Sequence, residues 1–207
     1  MKTIIFDMYG VILKESKGNF IPYTFHHFPQ SEHERIAKAF RDEKLFTKAG
    51  NGEITSDEFL TALGYDNPSF YMRDYIENHL TIDEEFYAFA ECMKGKFRFA
   101  LLSNDVSAWS KYITEFYKLD DYLPDKIVSA DVRCRKPDAK IFEIALACLN
   151  VPAGQCIFID NSVENLRTAD KLGMDTILFN RDGEVFDGKT VYSFGELSQM
   201  MAKDFGI

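Results

Sequence analysis

Thr3-Ile4-Ile5-Phe6-Asp7-Met8-Tyr9-Gly10 is the stretch on which the fold turns. Its first four residues are short, β-branched or aromatic, and uninterrupted by charge. Such a run, without alternation of polar and apolar side chains, predicts a strand buried on both faces, as in a parallel sheet covered by helices. The run stops at a carboxylate, Asp7, and Gly10 marks a tight turn just beyond it. In open parallel sheets the chemistry gathers at the carboxyl ends of the strands, and Asp7 stands at such an end.

Outward from this strand the chain changes character twice. Residues 14–80 show helical spacing of apolar positions and no convincing strand, as in Ser31 to Phe46. A helix start near Thr55 or Ser56 is followed by Asp57 and Glu58. This predicts a helical insertion. From residue 81 an α/β rhythm resumes. Strands are expected at 97–102, 126–129, 155–159 and 175–179. Helices are expected at 106–117, 137–149, 163–172 and about 194–203. The expected architecture is therefore an α/β fold: a Rossmann-like, doubly wound parallel sheet formed by residues 1–13 and 81–207, with residues 14–80 as an inserted α-helical cap.

Composition bounds the function classes. The 207 residues carry 33 acidic and 24 basic side chains, a formal charge of −9. That excess disfavours nucleic-acid and anionic-membrane binding, which need clustered positive charge. No apolar run approaches the ~20 residues needed to span a bilayer, so a cytoplasmic location is expected. Cys92, Cys134, Cys148 and Cys156 lack metal-site spacing and are expected to be reduced and mostly buried. His26, His27, His33 and His79 form no HExxH pattern and are expected at the surface or in packing.

Three expected strand ends carry polar groups: Asp7, Ser103-Asn104 and Asp160-Asn161. Lys136 precedes the helix of a fourth unit. These stretches resemble the motifs of the haloacid dehalogenase (HAD) superfamily of hydrolases. The resembling runs are Ile5 to Ile12, Leu101 to Asn104, Arg135 to Phe142, and Ile157 to Asn165 trailing into Lys171-Leu172-Gly173-Met174. The Gly52 to Phe59 segment is similar to the four-helix cap of phosphatase-like and epoxide-hydrolase-related members. The resemblance implies that Asp7 is a nucleophile forming a covalent aspartyl intermediate. Ser103 and the backbone amide of Asn104 would hold a substrate oxygen, and Lys136 would offset negative charge. Mg²⁺ would be held by Asp7, Asp160, Asn161 and the backbone carbonyl of Tyr9. The substrate would be a small molecule, most simply a phosphorylated metabolite. A phosphate dianion about 4 Å from a carboxylate meets repulsion of roughly 8 kcal/mol at an effective dielectric of about 20. A lysine plus a divalent cation would remove that obstacle.

Two positions depart from the phosphatase pattern. Tyr9 stands where active phosphatases carry a second Asp that protonates the leaving alkoxide and later activates water. Asn161 stands where they carry a second carboxylate ligand. Losing general acid–base help costs about 10²–10⁴ in rate, and losing an anionic ligand implies weaker Mg²⁺ binding. Two further readings follow. One is a catalytically degenerate HAD-fold binding protein. The other is a metal-independent 2-haloacid dehalogenase, because Asp-x-Tyr-Gly also occurs in those enzymes and halide leaves without a proton. A dehalogenase would need a cap arginine for the substrate carboxylate, with Arg35 and Arg41 as candidates by location. Against it, the fourth motif keeps Asp160, where dehalogenases place a small polar residue, and Phe142 replaces their common Tyr. Glu164 and Asn165 are candidates for positioning Lys136, and Trp109 for core and cap packing.

Overall fold

A computed structural model describes residues 1–206. In chain order, strand β1 (Thr3–Phe6) is followed by helices α1 (Phe20–His27), α2 (His33–Arg41), α3 (Leu45–Gly50), α4 (Ser56–Leu63), α5 (Pro68–His79) and α6 (Glu85–Met93). Then come β2 (Arg98–Ser103), α7 (Ser107–Phe116), β3 (Asp125–Val128), α8 (Ser129–Val132), α9 (Ala139–Leu149) and β4 (Cys156–Asp160). The chain ends with α10 (Val163–Lys171), β5 (Asp175–Phe179), β6 (Lys189–Val191) and α11 (Phe194–Phe205).

The six strands form one parallel sheet in the order β3-β2-β1-β4-β5-β6. β1 is central, with Phe6 in register with Leu101 on one side and Ile159 on the other. Side chains alternate between two cores because successive residues of a strand face opposite ways. Ile4, Phe6, Phe99, Leu101, Ile157 and Ile159 share one core with α6, α7 and α11. Ile5, Ala100, Leu102 and Phe158 share the other with α9 and α10. Burial on both faces is what the unbroken apolar run at residues 3–6 anticipates.

Five helices lie between β1 and α6. Their packing is aromatic: Phe20 meets Trp109 of α7 at 4.8 Å and Tyr75 at 5.1 Å between ring centroids. Trp109 Nε1 also donates to Ser56 Oγ at 2.7 Å, so this buried indole ties the helical segment to the sheet. Thr55 caps α4 in a reciprocal box with Glu58: its Oγ1 accepts from Glu58 N, while Glu58 Oε2 accepts from Thr55 N. Arg181 binds the carbonyls of Gly10 and Val11 and the carboxylate of Asp83, joining the chain where it leaves the sheet to where it returns.

Several local expectations need correction. Helix α9 starts at Ala139 rather than 137, because Asp138 serves as its cap, accepting from Lys140 N at 2.9 Å. α6 and β6 are additional elements. All four cysteines are free, but only Cys134 and Cys156 are buried; Cys92 and Cys148 face outward from helix surfaces. Among the described residues no helix is long and apolar enough to cross a membrane.

Candidate active site

The site is built at the carboxyl edge of the sheet. Asp7 N donates to Ile159 O at 2.9 Å, which extends the β1–β4 ladder by one residue and fixes where the Asp7 side chain emerges. Gly10 then turns the chain with φ +80°. A Cβ there would lie 2.4 Å from Asn161 Nδ2, so only glycine lets this loop lie against Asn161.

Lys136 is the hub. Its Nζ reaches Asp7 Oδ1 at 2.7 Å, Asp160 Oδ2 at 2.8 Å and the Leu102 carbonyl at 2.8 Å. The side chains of Lys136 and Asp160 are 1% and 0% exposed, whereas that of Asp7 is 11% exposed. Asp7 is the member of this trio that opens toward the cavity. Asn104 positions the hub from behind: its Oδ1 accepts from Lys136 N at 2.8 Å and its Nδ2 donates to Lys136 O at 2.9 Å. Asp160 is held by Asn165 Nδ2 and Ser162 N, so Asn165 steadies the carboxylate that binds Lys136 rather than Lys136 itself. Glu164 is exposed on the cavity rim.

Two carboxylates face one ammonium. Burial pushes Asp7 up to about 7; Lys136 pulls it back, and Asp160 adds to the rise. Burial also works against the Lys136 charge, but Asp160 and Asp7 outweigh it and hold the ammonium protonated.

The cavity above Asp7 has a volume of about 480 Å³, and Tyr9, Asn104, Lys136 and Asn161 share its walls. Asp7, Tyr9, Asn104, Lys136, Asp160 and Asn161 are thus brought to one place. Ser103 does not reach the cavity wall. It is the last residue of β2, and its Oγ lies buried beneath the site without a partner. Arg35 and Arg41 also lie elsewhere. Arg35 pairs with Glu32 and donates to the carbonyls of Ala62 and Leu63 at the end of α4, while Arg41 pairs with Asp42 on the surface. Each is engaged where its own helix places it, so neither lines the cavity.

Asp105 was not singled out from the sequence. It is the second polar residue after β2, and its Oδ1 accepts from Val106 N at 2.8 Å and from the Tyr9 hydroxyl at 3.4 Å. Its Oδ2 is buried without a partner. Burial pushes its carboxyl up to about 8 and, with Asp105 beside it, drives the Tyr9 hydroxyl well above 10. Tyr9 therefore stays protonated.

A carboxyl whose folded value is raised keeps a proton that the unfolded chain has released. Stability then falls as pH rises from the ordinary value of 3.8 through the folded value. Thermal melts are expected to show lower stability at about pH 8 than at about pH 5. Asp105→Asn should flatten this slope and raise Tm at the higher pH by about 2 °C or more. An unchanged slope would show that Asp105 is ionised throughout.

Among the described residues no three His, Cys, Asp or Glu side chains form a metal-holding cluster. The oxygen donors nevertheless suit a hard cation such as Mg²⁺. They are the Asp7 carboxylate, the Tyr9 carbonyl and the Asn161 amide, beside a trio carrying net charge −1. Asp160 already spends its oxygens on Lys136, Asn165 and Ser162. Asn161 Nδ2 donates to Asp182 Oδ2 at 3.2 Å. Asn161→Asp would set two carboxylates face to face there. The expected result is a lower Tm without metal and a larger rise on adding Mg²⁺ than in the unmodified protein. Equal Mg²⁺ shifts in the two proteins would remove position 161 from the cation's surroundings.

Comparison with known proteins follows from this geometry. The model of the haloacid dehalogenase-like hydrolase family matches residues 1–173. D-ribitol-5-phosphate phosphatase from Bacteroides thetaiotaomicron is 22% identical over 196 residues, covering 85% of this chain and 90% of that protein. (S)-2-haloacid dehalogenase 4A from Burkholderia cepacia is 28% identical over 51% of this chain and 48% of that protein. Drimenol cyclase drtB from Aspergillus calidoustus is 34% identical over 51% of this chain but only 21% of its own length. The chain thus spans about a fifth and about half of these last two relatives. A HAD family enzyme from Bacteroides thetaiotaomicron, solved with magnesium and inorganic phosphate, superposes with TM-score 0.74 at 20% identity over 90% of this chain and 98% of that one. The matched span runs from β1 through the turn after α10 and takes in every element that delivers a side chain to the Lys136 hub; the chain belongs to the haloacid dehalogenase-like hydrolases.

Proposed function

We propose that this hydrolase cleaves a small phosphorylated metabolite by nucleophilic attack of Asp7, with residues 14–80 acting as a cap over the cavity. The observation that carries the reading is the Lys136 ammonium 2.7 Å from a carboxylate that opens to the cavity while its partner Asp160 is sealed. Lys136 keeps Asp7 oriented and offsets the charge brought by a phosphoryl group. An Asp7 oxygen bonds to phosphorus as the ester P–O bond breaks, and the leaving oxygen departs as an anion that takes its proton from water. Water then cleaves the acyl phosphate, which releases inorganic phosphate and restores the carboxylate.

Mg²⁺, when bound through Asp7 and the carbonyl oxygens of Tyr9 and Asn161, would supply positive charge to the transferring group. Tyr9 cannot serve as the base for the second step, because its hydroxyl is held protonated well above 10. It is also a weak acid for the first. The enzyme should therefore favour esters whose leaving oxygen is stable as an anion. Exchanging both departures, Tyr9→Asp with Asn161→Asp, is expected to raise phosphatase activity by about tenfold or more. No gain would place the limit in the cap or the cavity shape instead.

The test is a phosphate-ester panel in magnesium buffer, read as inorganic phosphate. Release above a blank supports the reading, and a blank response across the panel ends it. A second reading, favoured by Tyr9 after Asp7, is halide displacement from a 2-haloacid. Chelator-insensitive halide release from 2-chloropropionate would establish it in place of the first. Ligand-induced thermal shifts without product, unchanged in Asp7→Asn, would instead indicate a binding protein.

A further inference from the structure

Arg135 is a half-buried cation on the cavity wall that the Lys136 hub does not use. It lines the same cavity as Asp7 and lies one residue before Lys136. It is half-buried, and among the described residues its guanidinium has no ion-pair or hydrogen-bond partner. Its burial lowers its affinity for a proton, and no carboxylate restores it. A partly desolvated guanidinium with five unused donors is a poor arrangement for stability alone. The side chain is not placed there by a loose loop. Asn104 grips the next residue, Lys136, at both its backbone N–H and its carbonyl, and the Asp138 amide donates to the Arg135 carbonyl at 3.0 Å. The backbone that carries Arg135 is therefore held on both sides.

The other charges on the cavity wall narrow what Arg135 can recognise. Glu164, Asp182 and Glu184 are exposed at the rim, as is Lys17, and all are well solvated. Asp7 and Asp105 lie deeper, the first already committed to Lys136 and the second to Val106 and Tyr9. Arg35 and Arg41 of the helical segment are engaged elsewhere. An anion entering the cavity thus meets two buried or half-buried cations, Lys136 at the reacting carboxylate and Arg135 beside it.

We propose that Arg135 binds a second anionic group on the substrate, so that the preferred substrate is a small phosphate ester that also carries a carboxylate or a second phosphoryl group. This rests on the phosphatase reading for the reacting end, but its test does not depend on turnover. Phosphonoacetate carries a non-hydrolysable phosphorus group and a carboxylate, whereas methylphosphonate lacks the carboxylate. Their binding is measured by calorimetry in magnesium buffer to the intact protein and to Arg135→Gln, which keeps a polar side chain of similar length. The intact protein should prefer phosphonoacetate by about tenfold or more, and Arg135→Gln should lose that preference, weakening phosphonoacetate several-fold more than methylphosphonate. Equal affinity for the two probes, or a preference that survives in Arg135→Gln, overturns the proposal, as does failure to bind phosphonoacetate at all. A second readout separates the roles. With 2-phosphoglycolate as substrate, Arg135→Gln should raise KM about tenfold with little change in kcat, and with p-nitrophenyl phosphate the rise in KM should be several-fold smaller. Should neither ester turn over while the binding preference holds, the hydrolase reading fails and the anion subsite stands.

Discussion

Asp7→Asn is expected to leave phosphate release at the level of the buffer blank while the protein remains folded. The loss of rate should be at least about a thousandfold, because on the proposed mechanism the substitution removes the nucleophile, and among the described residues no neighbouring carboxylate is free to replace it. Asp160 is sealed behind Lys136, and Asp105 is turned toward Val106 and Tyr9. Folding is expected to survive for a physical reason. Asn is nearly the same size, and its amide oxygen still accepts from Lys136 Nζ. Removing one of two carboxylates that share a single ammonium leaves Lys136 and Asp160 as a neutral pair. The burial that lifts Asp7 to about 7 then has no charge to oppose. The Tm of Asp7→Asn at about pH 8 should equal or exceed that of the unmodified protein. Turnover within tenfold of the unmodified rate would show that the nucleophile lies elsewhere. A collapse of Tm would show that Asp7 is structural.

Much of this site was legible before the structure because its parts lie in short, strongly patterned runs. The apolar stretch at residues 3–6 admits few readings, and the polar residue that ends it inherits a place at the sheet's carboxyl edge. The same logic located Asn104, Asp160 and Asn161, while Lys136 was read from its place before a helix and from the family resemblance. What failed to show has identifiable causes. β6 is three residues long and lies at the sheet edge, so Lys189–Val191 carries no visible period. α6 did carry a signal in Phe86, Phe89, Ala90 and Met93, whose spacing of three, one and three marks one helix face. The use made of Asn104 depends on a tertiary contact. The family resemblance implied a backbone role toward substrate; in addition its side chain clamps the backbone N–H and carbonyl of Lys136, 32 residues away. Arg35 and Arg41 were placed by sequence region alone; Glu32 and the carbonyls at the end of α4 claim the first, and Asp42 the second. Asp105 stood in plain view beside Ser103 and Asn104. Its meaning required knowing that Tyr9, 96 residues away, would lie against it.

Lys136→Met should destabilise the fold by about 3–5 kcal/mol, the largest stability effect expected from any single change in the site. Methionine fills nearly the same volume, so little of this comes from a cavity. The cost is electrostatic. The substitution strands Asp160, which is wholly buried, and Asp7, which is nearly so, without a counter-charge. Asn165 and Ser162 still donate to Asp160, but a hydrogen bond from a neutral amide does not replace an ammonium. Both carboxyls must then take up protons to stay buried. The loss should therefore grow as pH rises from about 5 to about 8, since the unfolded chain releases those protons freely. Urea unfolding at the two pH values measures this directly. The double variant Lys136→Met with Asp160→Asn supplies the control, because it removes the sealed charge together with its partner. It should recover at least about 1 kcal/mol relative to Lys136→Met alone. A single-variant loss below about 1 kcal/mol, or no recovery in the pair, would mean that water or a cation already balances these carboxylates. Lys136 would then be a catalytic charge rather than the electrostatic centre of the fold's active edge.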